Sequence, residues 1–259
     1  GLVDGPERAA DRATILFRRA VYVLDGSLAD NAAVVAGLEE ALGITPTGGD
    51  ALPRVLILGA LAAALHGTDA DAAADHWREA MDTAASVEGD ARISVLEALA
   101  YRIEAADQTV WAFLIECRRS IVDLLEHADA VDRTRALSDL VLDLILGGEA
   151  HAVDETLSKL HATFALLPAD ADPYVRASGL AGIAAGLSAQ EPSDWPAVAT
   201  AARDLLPLAT AHDYAGLSRF ARRALFRALG RQKVYTPESR AEEAVVHQAR
   251  AAENGSANS

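Results

Sequence analysis

Seven histidines, one cysteine and several acidic clusters are the side chains here whose types suit catalysis or metal binding. A zinc protease needs two histidines one helical turn apart with a glutamate beside the first, and a di-iron bundle needs a glutamate three residues ahead of a histidine. His66, His76, His127, His151, His161, His212 and His247 satisfy neither spacing. Glu149, His151, Asp154 and Glu155 cluster near an expected helix start, where acidic side chains complement the helix dipole. Capping explains them better than a metal does.

Asp139 and Asp143 stand one turn apart, with Asp132 behind them and Arg135 four residues before Asp139. This reads as a surface charge ladder. It lacks the adjacent aspartates with which a terpene cyclase holds its metal ions. Cys117 sits within an apolar stretch that includes Trp111, Phe113, Leu114, Ile115, Ile121 and Val122. A thiol there is expected to be buried and inert. Gly48-Gly49 and Gly147-Gly148 have no following Lys-Ser or Lys-Thr to make a phosphate loop, and no Gly-x-Ser-x-Gly elbow occurs. The expectation is no catalytic residue, no metal and no cofactor: not an enzyme.

The elements that position these residues are helices. Hydrophobic residues form 51% of the 259 residues and aromatics only 5%, so the core must be built of Ala, Leu and Val, with alanine favouring close helix contacts. Apolar residues recur at three and four, not in alternation, and no strand is expected. Pro6–Leu24 is read as the first of about twelve helices, and Pro237–Ala252 as the last. Between them, Asp50 is expected to cap a helix that runs to His66 and is apolar on nearly every side, hence enclosed by its neighbours. A second enclosed helix is expected at Tyr174–Leu187, rich in Gly and Ala. The division is one helical domain over 1–253 and a disordered tail at 254–259.

A net charge of −15 repels double-stranded DNA, so direct nucleic-acid binding is not expected. The longest apolar run, Val55–Leu65, falls far short of the roughly 20 residues that cross a bilayer. Cytoplasm is the expected location. The chain opens on Gly1-Leu2, not Met, which points to an excised domain or to residues left by cloning.

Second helices of successive pairs align as Val34-x3-Leu38-x2-Ala41, Ala73-x3-Trp77-x2-Ala80, Phe113-x3-Cys117-x2-Ser120 and Val153-x3-Leu157-x2-Leu160, with Trp195-x3-Ala199-x2-Ala202 near the next place. The period is roughly 40 residues, and positions i, i+4 and i+7 share one helix face. With Leu58-Gly59 in its first helix, the unit carrying Ala73, Trp77 and Ala80 resembles the tetratricopeptide repeat family. The period exceeds the usual 34 of that family, Val55 and Ala62 stand where it has Trp and Tyr, and most units lack its closing proline. The resemblance implies an all-α, right-handed α-solenoid of about six antiparallel helix pairs. Long-period arrays of this kind are similar to the sensor regions of actinobacterial multidomain transcriptional regulators. That likeness implies a non-catalytic module for protein–protein interaction or ligand sensing, inside a larger regulatory protein. The partner would be a protein or peptide, or a small-molecule effector.

Two faces are candidate partner sites. Glu97, Tyr101 and Glu104 lie opposite Ile93, Leu96 and Ile103 on a first helix. Arg219, Arg223 and Arg227, with Arg222 and Arg231, form a basic stripe on another, which Glu238, Glu242 and Glu243 of the last helix are placed to pair. Two alternatives stand beside the binding module. One is an all-α enzyme whose apolar pocket borders Ala177–Gly186, and the other is a homo-oligomerisation module.

Overall fold

The computed structural model of the chain describes residues 15, 31–45, 50–104, 110–190 and 193–232. The helices expected at 6–24 and 237–252 and the tail at 254–259 lie outside them. Among the described residues every regular element is helical. The chain divides into two compact units, Gly1–Leu124 and Leu125–Ser259.

The first unit contains α1 (Asn31–Ile44), α2 (Ala51–Leu65), α3 (Ala70–Ala85), α4 (Asp90–Glu104) and α5 (Trp111–Leu124). The second contains α6 (Ala130–Leu146), a 3-10 turn at Ala150–Ala152, α7 (Val153–Phe164), α8 (Pro173–Ala189), α9 (Trp195–Ala211) and α10 (Ala215–Gln232). Helix starts are written into the sequence by aspartate. Asp50, Asp69, Asp129, Asp172 and Asp194 each accept a backbone N–H from the first turn that follows, satisfying a donor that the helix itself cannot. Pro173 and Pro196 occupy first-turn positions where the missing N–H costs nothing.

The packing repeats. In the first unit α2 packs on α3, its hairpin partner, on α1 before it and on α4, the first helix of the next pair. In the second, α8 packs on its partner α9, on α7 before it, and on the first helices α6 and α10 on either side. First helices thus form one layer of each unit and second helices the other, as stacked helix pairs require. Val34, Leu38 and Ala41 of α1 meet Ile57, Leu61 and Ala64 of α2. In the second unit Ala177, Leu180 and Ala181 of α8 meet Leu205 and Ala209 of α9 and Ala221 of α10.

Both enclosed helices expected from the sequence are found. No residue of α2 is exposed, and α8 is buried without a break from Gly179 to Leu187. The aligned second-helix residues face inward in three units: Val34, Leu38 and Ala41; Ala73, Trp77 and Ala80; Val153, Leu157 and Leu160. In α5 the inward face is Leu114, Cys117 and Ile121, leaving Phe113 and Ser120 half-buried. In α9 Ala199 and Ala202 of the expected set are buried and Trp195 is half-buried, while Val198 and Leu205 extend the inward face. Small shifts of phase are possible because these helices are apolar on more than one stripe.

Glycine makes the α8 layer possible. A β-carbon at Gly179 would stand 2.6 Å from Phe164 Cδ2 and 2.9 Å from Thr134 Cγ2. At Gly182 it would meet Leu160 at 3.0 Å and the Ser138 backbone at 3.1 Å, and at Gly186 it would meet Leu157 at 2.8 Å. Glycines at steps of three and four therefore let α8 lie directly against α6 and α7.

Candidate partner-binding surfaces

Helix α4 buries Val95, Leu96, Leu99, Ala100 and Ile103 and turns Tyr101 outward, 66% exposed. The expected acidic face is only partly free. Glu104 accepts a charge-assisted hydrogen bond from Arg118 Nη2 of α5, and Glu97 is half-buried and engaged as well. The face is therefore a tyrosine flanked by occupied carboxylates. Sequence spacing placed the three together but could not show that Arg118 reaches across from the next helix.

Helix α10 buries Ala221, Leu225, Ala228 and Leu229. Its opposite side carries Arg219, Arg223, Arg227 and Arg231, all exposed, while Arg222 is half-buried. No carboxylate of the described residues pairs with those four exposed arginines. Glu238, Glu242 and Glu243, the counter-ions expected from the sequence, lie outside the described residues.

A third feature has no counterpart in the sequence reading. Tyr174 and Tyr214, 40 residues apart, begin successive first helices and meet edge to face with ring centroids 5.4 Å apart. His212 stacks on Tyr214 at 5.7 Å. Between the last two, Asp213 takes a left-handed φ of 55°. Tyr214 N–H bonds Ala209 O and Asp213 N–H bonds Thr210 O, the pair of bonds that closes a helix through a left-handed residue. Gly148 does the same after α6 with φ 80°, and Glu149 N–H bonds Leu144 O. Beside Asp213 a cavity of about 200 Å³ is lined by Thr210, Ser218, Arg219 and Arg222. The 40-residue spacing of the two tyrosines was the available signal.

Cys117 is buried, its Sγ donates to Met81 Sδ at 3.1 Å, and burial pushes the thiol up to about 12 against the opposing pull of Arg118. Asp143 is buried, which corrects the reading of Asp132, Arg135, Asp139 and Asp143 as one surface ladder. Arg135 and Asp132 meet at 3.7 Å. Asp154 and Glu155 do fall in the first turn of α7, but the cap residue Ala152 offers no side-chain bond. Glu155 pairs instead with Lys159 at 2.7 Å, and that hydrogen bond holds its carboxyl below the usual range. Asp154 accepts from Gln190 Nε2. Among the described residues no three His, Cys, Asp or Glu side chains gather as metal ligands. Nor is any of their helices long and apolar enough to cross a membrane.

No protein-family model and no curated protein matches the sequence. Among solved structures, a chain from Podosopora anserina described as a kinesin light chain with nearly identical TPR-like repeats is similar in fold. The TM-score is 0.51 at 17% sequence identity, over 81% of this chain and 96% of that one. At that identity the likeness concerns the path of the backbone. The helix-pair packing of each unit and this likeness agree that the fold is a TPR-like, all-α helical repeat array of the α-solenoid class.

Proposed function

We propose that this chain is a non-catalytic helical-repeat module that holds a protein or peptide partner as part of a larger regulatory protein. One observation carries the reading. The first helices α4 and α10 bury one face in the array and present Tyr101 and an arginine row on the other. Tyrosine and arginine are the residue types enriched where proteins bind one another, and stacked helix pairs serve as extended binding surfaces. A small-molecule effector is less well supported. The cavity beside Asp213 holds about 200 Å³, below the roughly 300 Å³ at which pockets enclose drug-sized ligands.

A peptide-display selection against the folded chain tests the proposal. Enriched peptides should lose about tenfold in affinity on Tyr101→Ala or on the triple change Arg219→Gln, Arg223→Gln and Arg227→Gln. No enrichment, or binding indifferent to both variants, would sink it. Light scattering across concentration tests self-association, and a species of twice the chain mass would make a second copy the partner instead.

A further inference from the structure

We propose that the arginine row of α10 docks an acidic α-helix of a partner protein. Arg219, Arg223, Arg227 and Arg231 are spaced by four residues along one helix, so they form a single i±4n ridge with guanidinium roots about 6 Å apart and about 18 Å from end to end. All four are exposed. Four other described arginines are matched: Arg54 to Glu79 at 2.5 Å, Arg78 to Asp75 at 2.6 Å, Arg118 to Glu104 and Arg135 to Asp132. Helix α10 contains no Asp or Glu, although acidic residues outnumber basic ones by 38 to 23 in the whole chain. Like charges at i,i+4 destabilise a helix. An incoming row of carboxylates removes that repulsion.

The occupant follows from spacing and charge. Carboxylates at every fourth residue of a second helix repeat at the same interval of about 6 Å, and two i±4n ridges laid together cross at about −50°. Each guanidinium can grip a carboxylate through two parallel hydrogen bonds. Phe226, 37% exposed, lies one turn from Arg222 and Arg223 and gives the row an apolar edge. A nucleic acid fits less well. Its phosphates continue past the row into the field of a chain with net charge −15, whereas a short acidic helix keeps its charges within about one Debye length (8 Å) of the arginines.

The test uses fluorescence anisotropy with two labelled Ala- and Glu-rich helical peptides of about 20 residues and identical composition. One carries glutamates on a single i±4n ridge, the other spreads them around the helix. The ridge peptide should bind about tenfold tighter than its isomer, weaken between about 50 and 300 mM salt, and lose about tenfold on the triple change Arg219→Gln, Arg223→Gln and Arg227→Gln. The triple variant should melt within about 2 °C of the parent, because no carboxylate of the described residues pairs with the row. Equal binding of the isomer, retained binding by the variant, or tighter binding of a single-stranded oligonucleotide would each overturn the proposal. So would a fall of more than about 5 °C in the variant's melting temperature, which would make the row an internal ion-pair layer. The proposal rests on the interaction-module reading, but the two fail differently. Tyr101-dependent peptides from the display selection alongside a silent ridge peptide would remove the acidic helix and leave the module.

Discussion

Gly59 lies beneath the indole of Trp77: a β-carbon on residue 59 would stand 3.2 Å from Trp77 Cζ3 and 3.5 Å from Leu99 Cδ1 and Arg102 Cβ. Three helices converge at this point. Glycine admits the large ring of α3 between α2 and α4, and the ring fills the space that glycine leaves. Trp77 is 1% exposed, and its Nε1–H has no hydrogen-bond partner. Trp77→Ala should therefore cost about 3–5 kcal/mol through the cavity it opens. Trp77→Phe should cost under about 2 kcal/mol, because the lost volume is partly offset by removing an orphaned donor. Urea unfolding of the two variants gives the comparison, and equal losses would contradict this account.

Two of the close glycines of α8 should rank by what their neighbours can do. Gly179→Ala drives a methyl into the Phe164 ring and Thr134, and should cost about 1–3 kcal/mol. Gly186→Ala meets the end of the Leu157 side chain, Cδ1 at 2.8 Å, Cδ2 at 3.1 Å and Cγ at 3.3 Å, which can rotate away, and should cost less. Gly37 in α1 has nothing within 4 Å, so Gly37→Ala should instead stabilise by about 0.5–1 kcal/mol. Denaturation midpoints in any other order would refute the ranking.

Ser138 is fully buried in α6, and its hydroxyl has no partner. Ser138→Ala removes the polar atom without adding bulk against Gly182 and should be neutral or stabilising by up to about 1 kcal/mol. A thermal melt that drops several degrees would show that the hydroxyl is needed.

Asp213 holds at φ 55° a position that Gly148 fills in the corresponding turn after α6. Aspartate tolerates this region better than most residues, yet glycine has no Cβ penalty there. Asp213→Gly should stabilise by about 0.5–1 kcal/mol, and Asp213→Val should destabilise by about 1–2 kcal/mol. Chemical denaturation reads both, and a stabilising valine would overturn the argument.

Cys117 gives a pH dependence of known sign. Its thiol sits at about 12 in the native chain and near 9.0 when unfolded. Above about pH 9 the unfolded chain sheds a proton that the native chain keeps, so the stability contributed here is complete below that pH and is lost as pH rises through 12. The advantage of the parent over Cys117→Ala should shrink between about pH 8 and pH 10.5. An advantage that grows over that interval would contradict a buried, neutral thiol.

The fold was more legible than the candidate site, for a physical reason. Burial imposes a period, and a period survives substitution. Val34, Trp77 and Leu157 can differ widely while still marking one inward face. The enclosed helices α2 and α8 were visible because they lack a polar stripe altogether. Phase was harder to read in α5, where Leu114 and Ile115 are both buried and the repeat alone does not choose between them. The surfaces depend on reach between helices. Arg118 meeting Glu104 and Tyr174 meeting Tyr214 join residues of different elements, and no helical spacing encodes such a meeting.

Aspartate caps and glycine contacts fix the helices locally, and among the described residues helix packing links neighbours and next neighbours along each unit. Such contacts close short loops, so little chain entropy must be lost before the first of them forms. Each helix pair can therefore begin to consolidate while later parts of the chain are still being synthesised. By the same logic a whole pair could be duplicated or deleted with its contacts, which makes the length of such an array easier for evolution to change than the sequence of its core.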